Sequence, residues 1–207
     1  MRIAIAVLLL LCGAPHMRAA TIVYDNTVID TFAGYTFISG GLVQIGDTVS
    51  FGAPPPGPVT QASVQFFNAG ASGTFDAILR FFNPGAPVGT IIGAPYTLSG
   101  LSLGAGDVLT ATFLNLNAPL PETVVFTIAV SNVTGGADIG LTAFDPPAIG
   151  SSDNSLIIVD DGSGFSESLV SEGQGNLYLR LVAIPESATM LLCGAGLSLL
   201  YFVRRKP

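Results

Sequence analysis

Of 207 residues only 10 % are charged, against roughly 25 % in an ordinary soluble protein, and the 25 glycines and 14 prolines stay below the roughly 25–30 % that accompanies disorder. The formal charge is −7, and Thr21 to Ala183 holds thirteen carboxylates against only Arg80 and Arg180, a balance of −11 that makes nucleic acid a poor partner. The same segment has no His, Cys, Lys or Trp, which excludes Ser-His-Asp and Cys-His nucleophile pairs, zinc sites of the N/S type, Schiff-base lysines and a disulfide framework.

At the N-terminus, Arg2, the ten-residue apolar run Ile3 to Cys12 and the breakers Gly13, Ala14 and Pro15 have the charged, apolar and breaker regions of a secretory leader. Residues 1–20 are therefore expected to be a signal peptide handled by Sec-type export machinery and cut after Ala19 or Ala20. Two other readings are weaker. A lipoprotein signal at Leu9-Leu10-Leu11-Cys12 puts a bulky leucine directly before the cysteine. An uncleaved anchor of ten apolar residues falls short of the roughly 20 that span a bilayer.

From Thr21 onward the apolar period is two. Phe75, Ala77, Leu79 and Phe81 share one face of Gly73 to Phe81; Val124, Phe126, Ile128 and Val130 oppose Thr123 and Thr127; Leu177, Leu179 and Leu181 alternate with Tyr178 and Arg180. Further strands are expected at Thr21 to Asp25, Thr48 to Phe51, Ala62 to Phe67, Val108 to Phe113 and Leu156 to Val159, with Gly, Pro, Asn and Asp clusters between them. No span in this segment carries a sustained helical stripe. The expected fold class is all-β: a single β-sandwich over residues 21–183, jelly-roll-like with about eight to ten strands, flanked by the signal peptide and a C-terminal hydrophobic helix.

The connections carry little chemistry. Ala53-Pro54-Pro55-Pro56-Gly57-Pro58 cannot donate a sheet ladder and reads as a stiff polyproline loop, with a docking site as the less economical reading. Asp153, Asp160 and Asp161, with Gly162, form a loop-borne acidic cluster whose hard oxygens suit Ca²⁺. Their spacing matches no EF-hand, and Asx turns beside Gly162 and Gly164 account for the same residues, so no metal or cofactor is expected. Asn132-Val133-Thr134 fits a glycosylation sequon.

Residues 184–207 run Ile184-Pro185-Glu186-Ser187-Ala188-Thr189, then apolar Met190 to Val203, then Arg204-Arg205-Lys206-Pro207. Fourteen apolar residues make a helix of about 21 Å, short of the roughly 30 Å hydrocarbon core of a bilayer. The basic trio holds the end of the chain on the cytoplasmic side, which fits a chain whose middle has already been exported. A helix of a soluble core would show a polar face, and this run has none.

This three-part tail resembles the PEP-CTERM sorting signals of bacterial envelope proteins. The matching residues are Pro185-Glu186, the helix Met190 to Val203 with Gly194-Ala195-Gly196-Leu197 at its centre, and Arg204-Arg205-Lys206. Ser187 stands where the family most often has a second proline. The resemblance covers about 24 residues and implies processing by exosortase, a membrane-embedded peptidase that reaches the motif while the apolar segment sits in the inner membrane. Pro185, Glu186 and Ser187 would then be a recognition motif, with Glu186 a substrate feature and not a catalyst, and Arg204, Arg205 and Lys206 a basic stop. The middle is also similar in style to the sandwich domains that accompany such tails, with Gly46-Asp47 before one strand and Leu120-Pro121-Glu122-Thr123-Val124 opening another. Family membership implies export to the cell surface or extracellular polysaccharide matrix, with a part in biofilm or floc formation.

Three functional classes remain, and the first is expected: a non-catalytic surface or matrix protein. A carbohydrate-binding module, retained as a single-pass membrane-anchored protein, is the alternative; its stacking residues would come from Tyr24, Tyr35, Tyr96 and Tyr178. A two-carboxylate glycosidase is the one hydrolytic chemistry the inventory permits, with Asp76 and Glu122 at strand positions.

Overall fold

The structure, a computed structural model, describes residues 19–171 and 175–184. Nearly all of the expected leader lies outside the described residues, as do Pro185, Glu186, Ser187, the apolar run 190–203 and Arg204, Arg205 and Lys206.

The two-residue period is realised as strands: β1 (Thr21–Asn26), β2 (Asp30–Thr36), β3 (Gln44–Ser50), β4 (Val59–Asn68), β5 (Gly73–Pro84), β6 (Val88–Ile91), β7 (Tyr96–Leu103), β8 (Val108–Ala118), β9 (Thr123–Ser131), β10 (Ile139–Phe144), β11 (Ser151–Ser152), β12 (Leu156–Asp160), β13 (Phe165–Leu169) and β14 (Leu179–Ala183). Each of the eight expected segments overlaps a strand, though Leu177 and Tyr178 precede β14 and Phe51 follows β3, and the fold is an all-β sandwich of two antiparallel sheets. The fourteen strands among the described residues exceed the expected number because short pieces such as β6 and β11 pair beside longer strands.

In the first sheet β8 and β14 lie on opposite sides of β4, since residues from Val59 to Val64 pair with both. β10 continues the β14 row: Phe66 and Phe67 pair with Leu141 and Gly140 on one side and with Leu109 and Val108 on the other. The next row is split in the same way, with β1 beside β14 and β2 beside β10. Both rows are interrupted at one level, between Asn26 and Asp30 and between Phe144 and Leu177. The second sheet runs β13-β12-β3-β9-β5, with β11 in line with β12 beside β3, and with β6 and β7 on the far side of β5. The chain crosses between sheets repeatedly, as a jelly roll does.

Between the sheets Phe66, Phe75, Phe81, Phe113 and Phe126 meet Ile45, Leu79 and Ile128, and Phe66 packs edge-on to Phe75 with centroids 5.2 Å apart. Each such side chain contributes about 1.5–3 kcal/mol by leaving water. The face expected on β5 is fully buried. On β9 both faces are covered through the middle of the strand, because Val125 belongs to a second small cluster with Phe82 and Ile158 on the outer side of the sheet. Phe165 of β13 packs edge-on to Phe82 at 5.4 Å. Beside this cluster, Arg80 Nη1 and Thr127 Oγ1 each donate to Gln44 Oε1 at 3.0 Å, while Gln44 Nε2 donates to Asp160 at 3.2 Å. Arg80 is thereby committed to the outer face.

One residue breaks the rule that phenylalanines form the core. Phe32 is 94 % exposed and sits at φ 56°, in the left-handed region that a side chain with Cβ adopts at a cost of about 1–2 kcal/mol. Its N–H donates to the Asp30 carboxylate at 2.7 Å, which holds the bend at the start of β2. Phe32→Asn is expected to raise stability by about 0.5–1 kcal/mol, because Asn tolerates this conformation. A lowered urea midpoint would contradict that account.

Candidate functional site

The two ends of the sandwich domain meet. Thr21 pairs with Ala183, and the Ile184 N–H donates to the Pro58 carbonyl at 3.3 Å, carrying the ladder one residue past β14. Pro58 closes the proline-rich segment between β3 and β4, which runs outside the ladders as expected for a stiff loop. Pro55 and Pro58, with Ile91, Pro119 and Pro121, line an open groove of about 800 Å³ in which Asn83 and Asn117 supply the polar side chains. Proline has no N–H, so these walls offer ring edges and carbonyl acceptors. No titratable group lines the groove among the described residues; it can hold a chain or an apolar ligand but provides no acid or base.

The tyrosines do not assemble. Tyr24 is fully buried between the sheets. Tyr96 stands opposite Leu79 and packs edge-on to Phe81 at 6.3 Å, whereas Tyr178 belongs to the other sheet and packs on Phe144 at 4.9 Å. A sugar-stacking platform would need exposed rings side by side on one face, and this arrangement scatters them. Asp76 and Glu122 are equally separated. Asp76 pairs with Ser131 at the last residue of β9, and Glu122 precedes the first, which puts them about 25–30 Å apart at strand spacing. A glycosidase pair needs roughly 5–9.5 Å. Asp76 instead accepts from Asn132 Nδ2 at 2.7 Å and from the Gly100 N–H at 2.8 Å, and these bonds, the Asn132 one first, hold its carboxyl below the usual range. The same bond ties down the amide of the Asn132 sequon.

The candidate calcium ligands are not brought together. Asp153 precedes β12 while Asp160 ends it and Asp161 follows, with the length of the strand between them. Each carboxylate closes its own turn: Asp153 accepts from the Ser155 hydroxyl and N–H, Asp161 from the Ser163 hydroxyl and N–H, and Asp160 from the Gly162 N–H at 2.8 Å. These serines hold the Asp153 and Asp161 carboxyls low. Among the described residues no group of three His, Cys, Asp or Glu side chains is placed to hold a metal ion. The Asx-turn reading accounts for all three aspartates.

A polar cluster that sequence reasoning missed lies where the first sheet's rows are interrupted. Asp47 alternates with Ile45 and Val49 on the inner face of β3 and is only 2 % exposed. The Ser152 hydroxyl donates to its carboxylate at 2.8 Å, and the Thr48 and Leu177 backbone amides also point at it. Burial outweighs these donors and pushes the Asp47 carboxyl well above the usual range. Tyr24 stands beside it, and burial first, then the Asp47 charge, raises the Tyr24 phenol far above its ordinary value. The same two causes push the half-buried Tyr35 phenol up to about 12. Neither Arg80 nor Arg180 enters this interior; Arg180 lies between inward-facing Leu179 and Leu181 and is exposed.

Asn26 bridges the gap itself. Its Nδ2 donates to the Phe144 carbonyl at 2.8 Å and to the Leu177 carbonyl at 3.0 Å, joining the end of β10 to the approach of β14. Asn176 Nδ2 donates to Asp145 at 2.5 Å, and the Phe144 N–H donates to the Asn176 carbonyl at 2.8 Å. Three buried polar atoms, Tyr24 Oη, Asn26 Oδ1 and Asn176 Oδ1, have no hydrogen-bond partner among the described residues. Of these, the Tyr24 hydroxyl can still donate, whereas the two amide oxygens can only accept. The legible signal was a carboxylate at an inward position of a strand. Compared with known proteins, the chain matches no family model, no curated protein and no solved structure.

Proposed function

We propose that this chain is an exported, non-catalytic protein of the bacterial cell surface or extracellular matrix. Its β-sandwich would be delivered by Sec-type machinery and sorted through a PEP-CTERM-like tail by an exosortase-like membrane peptidase. The observation that carries this reading is the pairing of Thr21 with Ala183. Leader and tail attach to neighbouring positions at one end of the sandwich, so the body can stand away from the inner membrane while both targeting segments engage it. The separation of Asp76 from Glu122 and the closure of Asp153, Asp160 and Asp161 into their own turns support a binding or structural role over hydrolysis. Polysaccharide of the matrix is the proposed surrounding, with no nucleic acid.

Intact-mass analysis of the protein recovered from outside the cells tests the sorting step. The expected product has lost the apolar run Met190 to Val203 and the basic trio, and Glu186→Ala is expected to leave uncut chain in the membrane fraction. A wild-type product ending beyond Val203 would overturn the proposal in favour of a retained single-pass anchor.

A further inference from the structure

The edge of the first sheet formed by β8 has no visible protection. Among the described residues β8 pairs with β4 alone, so the backbone groups on its other side face outward. Exposed edges usually carry a charge, a proline or a bulge that prevents another strand from adding. Residues Val108-Leu109-Thr110-Ala111-Thr112-Phe113-Leu114 have no charge and no proline, and their register with β4 is unshifted from Phe67↔Val108 to Gln61↔Leu114. The bulge comes only after this run, where Asn115 sits at φ 58°. The other edges differ. β13 carries Glu167, β7 is bulged against β5 with Gly100 at φ 69°, and the β1–β2 edge is interrupted and bulged.

The run is also self-complementary. Leu109, Ala111 and Phe113 turn toward the core, while Val108 and Leu114 are 56 % and 61 % exposed. They lie three residues to either side of Ala111. An antiparallel pair centred on Ala111 would set Val108 against Leu114 of the second copy, and Thr110 against its Thr112, on each side of the two-fold axis. Thr110 and Thr112 are already ordered by Gln65 and Ser63 of β4. Asp107, the nearest carboxylate, would face Asn115 and not another acid. For a domain with a balance of −11 this uncharged edge is an approach that brings no like charges together.

We infer that two copies of this chain pair through β8, Val108 against Leu114, to form a continuous antiparallel sheet across a two-fold homodimer. Seven residues from each copy would form about six to eight backbone hydrogen bonds. The contact is small, so association depends on concentration.

Sedimentation velocity of the protein purified from its cells, over about 1–500 µM, tests this directly. Wild type is expected to shift from monomer to dimer with rising concentration. Val108→Lys with Leu114→Lys sets lysine against lysine and is expected to weaken dimerisation at least 10-fold. Val108→Lys with Leu114→Glu sets lysine against glutamate and is expected to restore it. Both positions are exposed, and a thermal melt checks that each variant is folded. Three outcomes each overturn the inference: wild type monomeric throughout, the double-lysine variant dimerising like wild type, or the lysine–glutamate variant as weak as the double lysine.

Discussion

As the pH rises above the ordinary carboxylate range the protein is expected to lose stability, and Asp47→Asn is expected to remove that loss. Asp47 is buried against Tyr24 and Ser152 with no cation facing it among the described residues, and its carboxyl is shifted upward in the folded state by burial. The native state therefore holds a proton that the unfolded chain releases near the ordinary value of about 3.9. Below that value both states are protonated and the contribution is complete. Above it the unfolded state binds fewer protons, and stability falls by about 1.4 kcal/mol per pH unit until the raised folded value is reached. Asp76, Asp153 and Asp161 are shifted the other way by their hydrogen bonds, so their contributions are present above the ordinary value and are lost only in more acidic solution. The range above the ordinary carboxylate value thus separates Asp47 from these three. Urea unfolding of wild type and Asp47→Asn at several pH values measures it: the curves should meet near the ordinary carboxylate value of about 3.9 and diverge above it, with the variant the more stable. Parallel curves would show that Asp47 carries no linked proton.

Replacing Asn26 by alanine should cost about 2–5 kcal/mol. Its amide is the donor for two buried carbonyls, at Phe144 and Leu177, and truncation leaves both without a partner in the interior. An unsatisfied buried polar group costs about 1–3 kcal/mol, and two are exposed to that penalty here. The loss should be local before it is global. Hydrogen exchange is expected to accelerate first at the Phe144 and Tyr178 amides, which bond to Asn176 and Thr142 across the interruption, while β9 in the other sheet stays protected. Thr27→Ala, which removes only a hydroxyl bond to Asp25, serves as the control with an expected change below about 0.5 kcal/mol. An Asn26→Ala penalty no larger than that control would falsify the bridging role.

β5 and β14, each with one face turned to water, were legible in the sequence, whereas β10 and β2 were not. β5 and β14 announced themselves through Phe75, Ala77, Leu79 and Phe81 and through Leu179 and Leu181, because water on the other side keeps polar residues between the apolar ones. β10 was hidden because all six of its residues are buried, and Gly140 and Thr142 interrupt the apolar run. β2 was hidden for a related reason. The Phe67 ring lies over Gly34 and Gly140, where an added Cβ would come within 2.4 Å of it, so two strands carry glycine where a pattern search expects a side chain. The polar cluster was illegible because its members are distant in the chain: Asn26, Asp47, Ser152 and Asn176 meet only through the split rows. The acidic loop could be read in either of two ways from sequence, and the geometry of Ser155 and Ser163 decides between them.

The pairing of β1 with β14 has a consequence in time. The first of the described strands to be synthesised finds its ladder partner only when the last of them has been made, since Asn26 to Thr21 align with Leu179 to Ala183. Such maximal separation along the chain makes closure slow and late. Completion of the first sheet waits for residues 179–183, and a chain truncated before them lacks the strand that joins β1 to β4.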